Sequence, residues 1–229
     1  PMIAACIARV FGVPYEFWMN LLVIGLSVAI FATSVWLGLK RGMKNLSDLT
    51  LLLSFVFLAY VLIVGPTNFL VRASVNSVGV MLQNYIRMNF WTDPYLRSGF
   101  LENWTIFYWA WWMSYAPFIG LFVTRISRGR TIREVIVGML VFGSLGCALF
   151  YMVVGNFAMH LELTGQLAVT EIVQNQGGAV AVVAVLDHLP WAWGAILLFA
   201  LVSLAFSATT YDAAAQALAA SLTLRLREG

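Results

Sequence analysis

Charge is scarce in this sequence. Lysine, arginine, aspartate and glutamate together make up 10% of the 229 residues, against roughly a quarter in an average soluble domain. So few charges cannot cover a water-facing globule, and lipid surroundings are expected. Cysteine is also rare. Cys6 and Cys147 stand far apart in apolar sequence, which excludes a disulfide framework or a thiolate metal site and reads as free buried thiols. The two histidines, His160 and His188, are each isolated near the expected outer surface and form no metal pair at helical spacing. Neither Gly-x-Ser-x-Gly nor His-Glu-x-x-His occurs, so no enzyme chemistry and no cofactor are expected. No charge ring of the kind that lines channels is present. Short-period repeats and low-complexity tracts are absent too. The chain opens on Pro1 without a signal-peptide pattern and stops just after Arg225 and Arg227. Both ends read as cuts in a longer protein.

What is present is hydrophobic: 62% of residues, with a mean hydropathy of +0.88. Five stretches carry no acidic, basic or histidine residue: Phe17–Leu39, Leu49–Val71, Asn103–Thr124, Val135–Met159 and Leu189–Tyr211. Each holds the roughly 20 residues a helix needs to cross the hydrocarbon core. Alternating segments of a β-barrel are missing, so the fold class is all-α and transmembrane. The net charge of +3 is distributed by topology, and no nucleic-acid partner is expected. Lys40, Arg41, Lys44, Arg125, Arg128, Arg130, Arg133, Arg225 and Arg227 fall on one side when the spans alternate. That side is the cytoplasm by the positive-inside rule, which puts the first span's entry outside. Residues 72–90 mix valine, methionine and tyrosine with asparagine, glutamine and arginine, the pattern of an amphipathic helix on the outer surface. Asp93-Pro94 breaks it. Residues 162–187 are expected to form an outer loop with a short helix.

Two clusters could carry chemistry. The third span begins Trp104-Thr-Ile-Phe-Tyr-Trp-Ala-Trp-Trp-Met-Ser-Tyr115, placing four of the nine tryptophans within nine residues. Trp104 suits an interfacial belt, but Trp112 and Tyr115 lie near mid-membrane depth. Tyr108, Trp111 or Trp112, and Tyr115 recur at three- and four-residue intervals and share one stripe. Such a stripe is either a helix-packing surface or a cage for a quaternary ammonium cation, recognised through ring quadrupoles. Pro117 and Gly120 tilt the balance towards a cavity lining. The second cluster is Phe206-Ser-Ala-Thr-Thr-Tyr-Asp212. Its hydroxyls either satisfy helix carbonyls within the membrane or offer a small cation hard oxygen ligands.

The run Trp104–Trp112 followed by Phe122-Val-Thr-Arg-Ile-Ser-Arg-Gly-Arg-Thr-Ile-Arg-Glu134 resembles the signature of the betaine/choline/carnitine transporter family. Phe11-Gly-Val-Pro14, Gly38-Leu-Lys-Arg-Gly42, Leu46-Ser-Asp48 and Gly65-Pro-Thr-Asn-Phe69 are similar to that family in order and spacing. The resemblance implies a twelve-helix, inverted-repeat fold like that of the neurotransmitter:sodium symporters, with the five spans as helices six to ten. It implies a bacterial inner-membrane transporter in contact with lipid, a homotrimer contacted through the surface helix, and a small onium substrate. By position, Trp109, Trp111, Trp112 and Tyr115 match the family's substrate motif, and Trp104 matches an outer site. Thr92-Asp-Pro94, Gly99-Phe100 and Tyr115 point to the carnitine branch. Phe206, Thr209, Thr210 and Asp212 match the family's Phe-x-x-Thr-Ser-x-Asp pattern, whose first three positions serve a sodium site. Thr50 stands where sodium-independent antiporters place an arginine, so Na+ symport is expected ahead of proton coupling or exchange. Asp48 also reads as a helix N-cap, and the arginine loop as a topology determinant or an inner gate. A channel or a purely structural subunit is the remaining alternative.

Overall fold

A computed structural model describes residues 1–37, 44–95 and 98–222. Lys40, Arg41, Arg97, Arg225, Arg227 and the Gly38–Gly42 stretch lie outside the described residues, as does the side chain of Arg125. Among the described residues the chain is helical throughout, with no strand. In chain order the helices begin α1 (Met2–Phe11), α2 (Phe17–Leu37), α3 (Lys44–Val64), α4 (Thr67–Gln83) and α5 (Tyr85–Asn89). They continue with α6 (Phe107–Ile126), entered through a π-helical turn, Leu101–Ile106, and α7 (Ile132–Gly138). Next are α8 (Ser144–Phe150) and α9 (Asn156–Leu163), each preceded by a π turn, at Met139–Gly143 and Tyr151–Gly155. The last are α10 (Val169–Gln176), α11 (Gly178–Asp187) and α12 (Ala192–Leu222). Lys44–Val64, Ile132–Leu163 and Ala192–Ala215 are long and apolar enough to cross a membrane by length and composition.

Several boundaries differ from the sequence reading. The apolar stretch Leu49–Val71 is not one helix, because α3 stops at Val64 and α4 starts at Thr67. Pro66 has no N–H to continue the ladder. A Cβ on Gly65 would meet the Val61 carbonyl at 2.6 Å, so glycine is required where the backbone turns. Thr67 closes the break by donating its hydroxyl to the Leu62 carbonyl at 2.6 Å. The helix that enters the expected amphipathic segment starts at Thr67, and α5 follows it from Tyr85. Residues 162–187 hold two helices, α10 and α11, meeting at Gly177 with φ +87°. Residues 2–11 form a helix that the search for spans did not assign. Of the two thiols expected to be buried, only Cys6 is. Burial pushes it up to about 11, whereas Cys147 is exposed because no described neighbour covers that face of α8.

The chain divides into two compact units. Among the described residues, one comprises Pro1–Ser74 and Met139–Asp212, the other Val75–Gly138 and Ala213–Leu222. The core of the first is made of Phe57, Val61, Leu70, Phe157, Leu161, Leu186, Ile196, Phe199 and Val202. On α3, Thr50, Ser54, Phe57, Leu58 and Val61 are buried, the three- and four-residue spacing of one helix face. Polar groups inside are satisfied locally. Thr50 Oγ donates to the Leu46 carbonyl at 2.7 Å, and Ser54 Oγ to that of Thr50 at 2.6 Å. A π turn frees backbone groups from the i−4 ladder, and the one at Tyr151–Gly155 is clasped by α4. Ser74 Oγ lies 3.3 Å from the Met152 carbonyl and accepts from Asn156 Nδ2 at 3.2 Å. Helix α1 packs on α11, and Arg9 grips Asp187 with both carboxylate oxygens at 2.8 Å. Tyr60 of α3 donates its hydroxyl to the Pro190 carbonyl.

Candidate functional site

In the second unit, the entry to the aromatic helix is set by Asp93. Its Oδ2 accepts from Ser98 N at 2.7 Å and from Ser98 Oγ at 2.6 Å. Asp93 itself adopts φ +46° and Gly99 φ +73°. The π turn Leu101–Ile106 and then α6 follow.

The rings then form a ladder. Phe100 stacks on Trp104 at 6.4 Å, and Trp104 on Tyr108 at 6.0 Å with planes 14° apart. Tyr108 meets Trp111 at 6.0 Å, and Trp111 meets Tyr115 at 6.1 Å. Steps of three and four residues keep these rings on one side of a helix. The sequence left Trp111 or Trp112 open as the middle rung, and the contacts select Trp111. Trp112 joins from the flank at 5.9 Å from Trp111. Trp109 is turned away: at about 100° per residue its direction lies about 130° from the stripe. The structure thus gathers Trp104, Trp111, Trp112 and Tyr115 in one ring series and leaves Trp109 off it. The rungs Tyr108 and Phe100, and Trp91 at 5.7 Å from Phe100, extend the ladder beyond the four family positions. Tyr108 belongs to the stripe expected from sequence, and the four-residue step from Phe100 to Trp104 was the signal for Phe100.

The ring faces are open in this chain, with Trp104, Tyr108, Trp109, Trp111 and Trp112 between 41% and 69% exposed. Two irregularities accompany them. Pro117 lies inside α6 and offers no N–H to the Met113 carbonyl. Ser114 donates its hydroxyl to the Ala110 carbonyl at 2.9 Å, which draws that oxygen partly off the helix axis. Chemically the ladder offers polarisable negative faces without a formal charge, a surface matched to a cation that has no hydrogen to donate.

The second cluster lies in the first unit, on α12. Thr209 Oγ1 and Thr210 Oγ1 both donate to the Phe206 carbonyl, each at 2.9 Å. The three matched positions therefore meet at one oxygen. The Phe206 ring sits edge-on to Phe150 at 6.3 Å, and Asp212 is buried at 1% exposure. With both hydroxyl hydrogens spent on the carbonyl, the threonine oxygens keep lone pairs for a further partner. Thr50 is buried on α3. At the arginine loop, Thr131 and Glu134 cap the following helix reciprocally. Glu134 Oε2 accepts from Thr131 N at 2.8 Å, and Thr131 Oγ1 accepts from Glu134 N at 3.2 Å, a capping box. Arg128, Arg130 and Arg133 are exposed beside it.

Comparison with known proteins gives one consistent answer. The family described as BCCT, betaine/carnitine/choline family transporter, matches residues 1–227. The uncharacterized transporter YeaV of Escherichia coli (strain K12) is 39% identical over 218 residues, covering 95% of this chain and 45% of its own. A carnitine transporter of Acinetobacter baumannii is 37% identical over 223 residues, 97% of this chain and 40% of that protein. The glycine betaine transporter OpuD of Bacillus subtilis (strain 168) is 35% identical over 207 residues, 89% and 40% respectively. The chain spans less than half the length of these relatives.

Proposed function

This chain belongs to the BCCT family of betaine/carnitine/choline transporters, and on that footing we propose that it is the central part of a secondary transporter for a quaternary-ammonium or sulfonium compound. The observation that carries the reading is the ladder Trp104–Tyr108–Trp111–Tyr115, with Trp112 on its flank. A trimethylammonium head binds ring faces at roughly 0.5–2 kcal/mol each, without the cost of a buried counter-charge. Trp111, Trp112 and Tyr115 are the assigned contacts, Trp104 an outer stop on the way in. Trp109 shares the family motif but faces elsewhere on α6, which fits a packing role. Relatives named for carnitine and for glycine betaine support this substrate class. The whole protein in this reading has twelve helices in an inverted repeat, crosses the bacterial inner membrane many times and assembles as a homotrimer.

Sodium is the coupling ion in this reading, held by Phe206, Thr209 and Thr210. Support comes from the convergence of both threonine hydroxyls on the Phe206 carbonyl and from a neutral residue at position 50. The same hydrogen bonds favour a second reading. A carbonyl that already accepts two hydroxyls must give them up before it faces a cation, so a sodium-independent exchanger or a proton symporter is the alternative. Uptake of labelled glycine betaine, choline and carnitine by the full-length protein in liposomes, with and without a sodium gradient, separates them. Uptake that requires sodium and vanishes in Trp112→Ala is the expected outcome. Exchange indifferent to sodium selects the alternative coupling, and unchanged transport in Trp112→Ala removes the substrate-site assignment.

A further inference from the structure

The two histidines, isolated in sequence, line one cavity. It lies in the first unit beside the Gly65–Pro66 break, has a volume of about 170 Å³, and counts His160, Gln166 and His188 among its walls. We propose that this cavity binds a divalent transition-metal ion of the zinc class through the imidazoles of His160 and His188.

The two rings are held in ways that suit ligation. Nδ1 of His188 lies 2.9 Å from the Ala184 carbonyl. A carbonyl only accepts, so Nδ1 carries the hydrogen, and the lone pair of the neutral ring falls on Nε2. Metal-binding imidazoles commonly have this carbonyl partner behind them, which fixes tautomer and plane. The His160 ring packs against Phe69, with centroids 4.9 Å apart. Polar groups on residues adjoining the lining are engaged elsewhere. Asp187 is taken by Arg9, Glu162 Oε2 accepts from Thr170 N at 3.0 Å, and the Tyr60 hydroxyl goes to Pro190. Neutral nitrogen donors are therefore what the cavity offers, with the Gln166 amide at its edge. That set prefers Zn2+, Cu2+ or Ni2+ over Ca2+ or Mg2+.

Among the described residues no group of three or more His, Cys, Asp and Glu side chains comes together. The ion would keep water on its remaining positions, so binding is exchangeable rather than structural. An ion shared by His160 on α9 and His188 at the end of α11 ties those elements together. The turn between α11 and α12 is itself strained, with Trp191 at φ +64°, a conformation costly for a bulky side chain. Locking this turn would slow any movement that transport requires of it.

The test is binding, which does not depend on the transport reading. Zn2+ is titrated into purified full-length protein against a chromophoric chelator, with Ca2+ as the control ion. The expected result is a one-equivalent site weakened at least about tenfold in His160→Ala and likewise in His188→Ala. Glutamine replacements serve if an alanine variant fails to unfold cooperatively. No Zn2+ site in the unmodified protein, equal binding in both variants, or loss in only one of them would overturn the proposal.

Discussion

Two aromatic clusters in this chain have nearly the same ring spacing and opposite characters. In the second unit, Trp104, Tyr108, Trp111 and Tyr115 stand about one ring apart, at 6.0 to 6.1 Å. In the first, Phe57 meets Phe199 at 5.3 Å and Phe150 at 6.5 Å, and Phe150 meets Phe206 at 6.3 Å. The ladder belongs to a single helical segment and needs only the three- and four-residue repeat to form. The phenylalanine cluster joins α3, α8 and α12 and exists only once those helices pack. Within this chain the ladder's rings are open, whereas Phe57 is 0% exposed with its faces in contact. Residue type follows the same division: phenylalanine has nothing polar to satisfy when enclosed, while tryptophan and tyrosine keep a polar edge for a wetter place. Similar rings at similar spacing are an enclosed core in one unit and an open row along one helix in the other, the row that the proposed function takes as its binding surface.

That contrast can be broken by substitution. The largest effect is expected for Phe57→Ala, which removes a ring enclosed by Phe150 and Phe199 and should cost about 3 kcal/mol in stability. Thermal or denaturant unfolding of the full-length protein in detergent measures it, and an unchanged midpoint would mean that the cluster is not a stabilising core. Trp111→Ala and Trp112→Ala should leave unfolding nearly unchanged and weaken onium binding by roughly 0.5–2 kcal/mol per face. Substrate quenching of tryptophan fluorescence reads the affinity. If either variant lost as much stability as Phe57→Ala, the ladder would be packing after all. The smallest effect is expected at the Phe206 carbonyl, beside the phenylalanine cluster. Thr210→Val keeps the shape and deletes one hydroxyl, at a stability cost of about 0.5 kcal/mol. It should raise the sodium concentration needed for half-maximal uptake severalfold. A sodium response identical in Thr209→Val and Thr210→Val to that of the parent would leave those hydroxyls as helix satisfaction alone.

The clusters also differ in how far they could be read in advance. The ladder was legible because spacing along one helix is a property of adjacent residues, and only the choice of Trp111 over Trp112 as a rung needed coordinates. The break at Gly65–Pro66 was visible as a dipeptide but lay inside a run of apolar residues, so hydropathy alone passed over it. Residues 2–11 carry an apolar pattern too short for a span, and their helix acquires its place from α11 and the Arg9–Asp187 pair. Cys147 was misread because apolar neighbours in sequence are not neighbours in space.

The sequence by itself determined that the chain is helical, that its charges are kept out of five long apolar stretches, and that one helix carries aromatic rings in register. All of these follow from helix geometry and from the cost of placing charge in hydrocarbon, which act over a few residues. Only the tertiary structure decided that Phe57 meets Phe199, that Arg9 meets Asp187, and that His160 and His188 line one cavity. Each of these joins segments that are separate in the sequence, and their meeting depends on how helices pack across the chain rather than on any local preference.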